Sequence, residues 1–402
     1  MASNRPSTLL LRVDGFGWQD CLATGPGSAI LGSLLFSALF LSPMSAKFLL
    51  RVAGTLLLAW AAAAACVALH TPLPWMLGPL VATSVLSMAG APTESWGPLR
   101  NGGQWAIGAA LGLYFTPEVS ALVGSLWWAI VLGIGWALLL GWGFGAWLYR
   151  LHAPRMHGVP ASMLRSTSYF AGAIGAASEM TLLSERENAR TDLVAASHSL
   201  RLLIVTITIP FALQWSGLQG LDILTPTVRE VSWPGLALLA LLTGAGALVM
   251  DRLGRANPWF MGAMLVSMAV TMAGLHLSAV PQALVNAAQL VIGVSLGVRF
   301  RAEFLHTAPR WLASVAVGTL GLMGICAAFA AVLAWATGLP WVTLLLGTSP
   351  GGITEMAITA KVLQLGVPVV TAFQVCRLIA VLMLVGPMFR RIYPPTEGGS
   401  AI

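Results

Sequence analysis

Charge is scarce in this chain. Only 9% of its 402 residues are Asp, Glu, Lys or Arg, where a soluble domain carries about a quarter. With 57% hydrophobic residues and a mean hydropathy of +0.83, that scarcity excludes an ordinary soluble fold and indicates a polytopic membrane protein whose first partner is the lipid bilayer. Period-two alternation is also missing. Segments of 17 or more nearly uncharged residues are built from Leu, Ala, Val and Gly, which predicts membrane helices rather than a barrel. Cysteine is scarce: Cys21, Cys66, Cys326 and Cys376 are scattered, no CxxC occurs, and the six histidines are equally dispersed. Without HxxxH or a Cys/His cluster, no metal site, cofactor or catalytic residue is expected, and the thiols read as small hydrophobes. Nor is there a soluble stretch able to carry a helix-turn-helix, so no direct nucleic-acid binding is expected. The net charge of +7 instead reflects Arg residues in short loops, which set membrane orientation.

What is present is repetition. "PWMLGPLVATSVLSMAG" at 74–90 returns as "PWFMGAMLVSMAVTMAG" at 258–274. "NGGQWAIGAALGLYFTPE" at 101–118 returns as "NAAQLVIGVSLGVRFRAE" at 286–303, with eight of 18 positions identical. "GAASEM" at 175–180 parallels "GGITEM" at 351–356, and 22 residues after each Glu stands an Arg-Leu pair, Arg201-Leu202 and Arg377-Leu378. The chain therefore divides into an N-terminal segment (1–46), a first membrane repeat (47–215), a linker (216–232), a second repeat (233–391) and a polar tail (392–402). The apolar stretch 28–46 can be an extra membrane segment, a signal-like leader, or residues upstream of a start at Met44.

The arginines give each half a direction. The 115–120 and 69–74 loops lack Lys and Arg, whereas their counterparts 299–310 and 250–258 carry them; the basic 149–165 loop has the uncharged counterpart 336–341. By the positive-inside rule, matching loops lie on opposite faces, which is an inverted-topology repeat. Helices are predicted near 50–68, 74–90, 101–116, 119–149 and 191–214, and again near 233–250, 258–275, 284–299, 309–336 and 368–389. The Glu-bearing segments 167–184 and 342–364 are then re-entrant or broken. The expected fold is all-α, with about ten transmembrane helices plus those two segments, in a bacterial inner membrane with the C-terminus cytoplasmic.

Carboxylates within such apolar surroundings need partners. Glu355 and Arg377 are symmetric about Gly366, and Glu179 and Arg201 about Arg190, which predicts two Glu–Arg pairs at similar depth on adjacent antiparallel segments. Pro350, Gly351 and Gly352 break the helix beside Glu355 and free backbone groups for a ligand. Thr354 and Ser178 add hydroxyls, and Gln374 and His198 each precede the Arg by three residues on one helix face. The first half reads Ile174-Gly175-Ala176 where the second reads Pro-Gly-Gly, so its break is expected to be weaker. Asn101 with Gln104, and Asn286 with Gln289, continue into Gly108-xxx-Gly112 and Gly293-xxx-Gly297; this face serves either close helix packing or a cavity lining.

These motifs together, "PWMLGPL", "NPWFMGAML", the two Q..IG..LG helices and "SPGGITEMA", resemble the membrane AbrB family over roughly residues 47–391. That is a duplicated bacterial membrane domain also labelled an ammonia monooxygenase, and is distinct from the small soluble DNA-binding AbrB. The resemblance implies a link to regulation of gene expression or a monooxygenase activity, without a mechanism. The family pattern carries a PGG-like element in both halves, so Ile-Gly-Ala here points to the second copy as the better site. The residues themselves favour a transporter of a small solute, anionic or zwitterionic, working by alternating access rather than an enzyme. An indirect regulator of gene expression is the alternative, a membrane monooxygenase the third reading, and self-association stays open.

Overall fold

A computed structural model of the chain describes residues 45–156, 158–216, 230–300 and 308–394. The expectations for 28–44, most of the 216–232 linker, 301–307 and the end of the tail fall outside the described residues. The described residues from Leu50 onward pack as one compact unit. Among the described residues there are fifteen α-helices and no strand. The first half supplies α1 (Ala46–Ala68), α2 (Pro74–Met88), α3 (Gly97–Gly112), α4 (Pro117–Ser125), α5 (Trp127–His152), α6 (Ala161–Gly172), α7 (Ala177–Arg186) and α8 (Thr191–Ser216). The second supplies α9 (Trp233–Arg252), α10 (Pro258–Met272), α11 (Gln282–Gly297), α12 (Pro309–Thr337), α13 (Trp341–Thr348), α14 (Ile353–Val362) and α15 (Val367–Ile392).

The duplicated motifs build duplicated elements. Both α2 and α10 have 15 residues and open on a proline whose fixed φ suits the first helical position. The residue before each, Leu73 or Asn257, takes a left-handed φ of 46° or 47°. Both helices stop at a glycine of positive φ, Gly90 or Gly274, as a helix terminus commonly does. Their partners α3 and α11 have 16 residues each, and α8 and α15 have 26 each.

Each half's glycine helix packs on the other half's Pro-Trp helix, α3 on α10 and α11 on α2. A Cβ at Gly108 would run into the Phe260 carbonyl, and one at Gly293 would come within 2.6 Å of the Met76 carbonyl. The small-xxx-small faces thus serve close packing, as such faces do within membranes. Around the hairpin segments a second group forms: α5 packs on α6, α12 on α13, and the long helices cross between halves as α8 on α12 and α5 on α15.

Two expectations change. The single helix expected over 119–149 is interrupted at Leu126, giving α4 and α5. Thr116 accepts from the Val119 N–H and Pro117 sits at the first helical position, so α4 starts afresh and stands at 90° to α3. Second, the first-half helix break is as complete as the second: residues 173–176 and 349–352 are both non-helical.

Six helices (α1, α5, α8, α9, α12, α15) are long and apolar enough to cross a membrane, or seven if the bent pair α3–α4 is one span. Helices α2, α10 and α11 are apolar but shorter. Half of the most apolar window of α8 and of α15 is buried, against 22% for α1 and 17% for α9, so the former pair is central and the latter peripheral. Large apolar side chains point outward from the peripheral helices, among them Leu57, Trp60 and Leu241, and from α12, as at Trp335. That is the surface of a membrane-embedded protein.

Candidate functional site

The two broken segments turn back on themselves. In the second half, Thr343 near the start of α13 donates its hydroxyl to Leu365 O, just after α14, at 3.0 Å. In the first half the Arg190 N–H donates to Thr167 Oγ1 at 2.9 Å. The second-half segment therefore leaves and returns at one level, with its break at the far tip; in the first half the chain after α7 comes back to the middle of α6. Helix α8 or α15 then runs alongside from that level to the tip.

At the tips the expected Glu–Arg pairs are not formed. The ion pairs among the described residues are Arg51–Glu94, Arg190–Asp192 and Arg390–Glu187. Arg377 instead donates to Ser349 O, to Gly351 O at 2.9 Å and to Gln374 Oε1. Arg201 donates to the carbonyls of Ala171, Gly172 and Ala173, the last at 2.7 Å, and to His198 Nδ1 at 2.8 Å. The reason is local. Breaking a helix orphans the last carbonyls of its first half, at the negative end of its dipole. A guanidinium, with five donors in a fixed fork, satisfies several at once.

The supporting residue is equivalent in the two halves. Gln374 donates to Leu346 O at 2.6 Å while accepting from Arg377. His198 Nε2 lies 2.9 Å from Phe170 O, which can only accept, so the proton is on Nε2 and Nδ1 accepts from Arg201. An amide and an imidazole thus fill one role. Because side-chain cations already hold these carbonyls, they are not left open to a bound metal cation.

The other side of each break is the start of a helix. Helices α7 and α14 start with N-caps Ala176 and Gly352 that make no side-chain cap bond. Both N-termini face a cavity of about 170 Å³ lined by both halves of the chain, room for several water molecules or an ion of a few heavy atoms. Its lining holds four guanidinium groups, Arg100, Arg201, Arg299 and Arg377, against one carboxylate, Glu355. Arg377 is 5% exposed and its Nε is buried without a hydrogen-bond partner, as is Arg100 Nε. Glu355, 6% exposed, lies against Gly352, in the space a methyl group there would fill, and interacts electrostatically with Arg299.

Of the residues expected from the sequence, the structure brings Glu355, Arg377, Pro350, Gly351, Gly352, Thr354, Arg201, Ser178 and Gln104 to the lining. Gln374 stands behind it, bonded to Arg377. Glu179 is half-buried and outside the lining. Asn101, Asn286 and Gln289 also lie outside; Asn286 accepts from Gln282 at 2.9 Å, and Gln289 is buried. Sequence reasoning missed Arg100, Asn257, Ser295 and Arg299. The signal for Arg100 was its place one helical turn before Gln104, on the same face; Arg299 was absorbed into a basic loop.

Comparison with known proteins adds two relatives and a family. The chain is 24% identical over 346 residues to the uncharacterized protein YhjN of Bacillus subtilis strain 168, covering 79% of this chain and 87% of that protein. It is 26% identical over 329 residues to a protein of Escherichia coli K12 named "Putative regulator AbrB", covering 81% and 91%. Residues 75–393 match the family described as transition state regulatory protein AbrB. That match spans both sets of duplicated helices and the whole cavity, so the chain belongs to the AbrB family.

Proposed function

We propose that the protein is a transporter that moves a small anion across the membrane through the central cavity by alternating access, rather than an enzyme. The observation that carries this reading is the cavity itself. Two broken segments meet there, each turning a helix N-terminus toward the cavity, and neighbouring elements add four arginines against a single carboxylate. Helix N-termini and unpartnered guanidinium donors favour negative ligands, and broken helices at mid-membrane are tolerated where they line a cavity.

The inverted-repeat reading supports the same conclusion. Loop charges alternate between the halves, and the hairpin tips meet near the centre. If the central 15- and 16-residue helices α2, α3, α10 and α11, each about 23 Å long, are counted with the six long ones, ten spans and two re-entrant hairpins result. Each half then has an odd number of crossings, as inversion requires, and the basic loops and the C-terminus fall on the cytoplasmic side of an inner membrane. A regulatory role, which the name of the E. coli relative carries, fits here as an indirect effect on gene expression of moving a signalling solute.

The test is uptake of radiolabelled small carboxylates and inorganic anions by proteoliposomes, with and without a pH gradient. Saturable uptake of at least one anion is expected, reduced about tenfold or more by Arg100→Gln, a loss of at least about 1.4 kcal/mol of binding. Uptake no greater than in protein-free vesicles, or unchanged by Arg100→Gln, would contradict the assignment.

A further inference from the structure

The two helix N-termini at the cavity are not equivalent, and the difference lies in one methyl group. Position 352 is glycine, and the Glu355 carboxylate folds back into the space a Cβ there would occupy, where it accepts its own backbone N–H. The matching position in the first half is Ala176, whose methyl takes up that space, and Glu179 stands outside the lining. One N-terminus is therefore filled by a side-chain carboxylate, while the other is open. Beside the filled one, Arg377 keeps a buried Nε donor without a partner.

We propose that Glu355 is a built-in anion holding one of two anion positions in the cavity, and that a solute anion takes that position once Glu355 has accepted a proton and moved away. This rests on the anion reading of the cavity and adds its coupling to protons. The charged and titratable groups that line the cavity with Glu355 are Arg299 after α11, which interacts with it directly, Arg100 on α3, Arg377 on α15, and Arg201 with His198 on α8. As a carboxylate, Glu355 repels a second anion and occupies the amides that anion would use. Moving it still charged into the apolar wall of Ile353 and Leu378 would strip it of its partners, which is strongly unfavourable. As the neutral acid it can go. The proton comes from the aqueous side to which the cavity is open, so each anion bound at α14 enters with one proton, and the pair is electrically neutral for a monovalent ion.

A plain helix cap would look the same in the structure, and glutamine separates the two. At this helical position Gln keeps the capping geometry of Glu and removes the charge. Nitrate and sulfate stay ionised across the range used, so any pH dependence of their binding belongs to the protein. Calorimetry with nitrate and with sulfate, on purified protein at about pH 5.5 and about pH 8, should show wild type binding about tenfold tighter at the acid pH. Glu355→Gln should bind at both pH values as tightly as wild type does at the acid one. Gly352→Ala, which crowds Glu355 out, should flatten the profile in the same direction. If Glu355→Gln keeps the wild-type pH dependence, the titrating group is another, such as His198, and the proposal fails while the anion site stands. If Glu355→Gln loses binding at both pH values, Glu355 is not a competitor and the proposal fails again. If neither protein binds either anion, the anion reading falls and this proposal with it.

Discussion

At the scale of single residues, the arginines are better understood as part of the backbone than as charge partners. Symmetry about Gly366 and Arg190 did place Arg377 and Arg201 beside the correct segments, because helical rise converts sequence distance into depth. It could not tell which groups at that depth are short of partners. A carboxylate three residues into a helix can satisfy itself on its own N-terminus, whereas the carbonyls orphaned at a break cannot, so the guanidinium goes to the carbonyls. Arg377→Met should therefore behave as a folding variant as well as a site variant. It strands Gly351 O and Gln374 Oε1 and leaves Ser349 O with only a 3.4 Å bond from Gln374, and losing hydrogen bonds to a charged donor should lower stability by about 3 kcal/mol. Thermal unfolding in detergent should show a clearly lower midpoint for Arg377→Met than for Arg100→Gln, whose side chain is only half-buried.

At the scale of elements, the duplicated motifs were the legible part. Proline at a helix start, glycine at its end and a small-xxx-small face each specify local geometry, and the helices from α2 to α15 largely start and stop where those signals stand. The kink after α3 was not legible, because the run from 119 to 149 is apolar throughout and Thr116-Pro117 caps a helix without revealing its direction. Nor could the sequence say whether the Asn/Gln faces pack or line a cavity; the structure splits them, with Gln104 on the lining and Asn101, Asn286 and Gln289 off it. The glycine faces make a direct prediction. Gly108→Ala places a methyl against the Phe260 carbonyl, while Gly102→Ala on the same helix meets nothing within 4 Å. The first should cost about 1–3 kcal/mol through overpacking. The second should be neutral or stabilising by up to about 1 kcal/mol from helix propensity. Equal unfolding midpoints for the two would show that α3 and α10 are not held in close contact.

At the scale of the whole molecule, two helix groups face each other across the cavity. Helices α2, α3, α10 and α11 interlock through their glycine faces, and the hairpins with α5, α8, α12 and α15 form the other group. The lining draws on both: Arg100, Gln104, Ser295 and Arg299 from the first, the two tips with Arg201 and Arg377 from the second. Arg299 shows why the site was only half legible. In the sequence it belongs to a basic loop that orients the protein, and only the fold brings it opposite Glu355. A cavity between two groups can open to either face if one group moves against the other, which is what alternating access requires. The most direct test is to place single cysteines at Ser178 and Thr354, in a background with the four native cysteines replaced, and to label them in oriented vesicles with a membrane-impermeant thiol reagent applied from either side. The account predicts labelling of both positions from both sides, slowed from both sides by a saturating transported anion. Labelling from one side only, whatever anion is present, would contradict it.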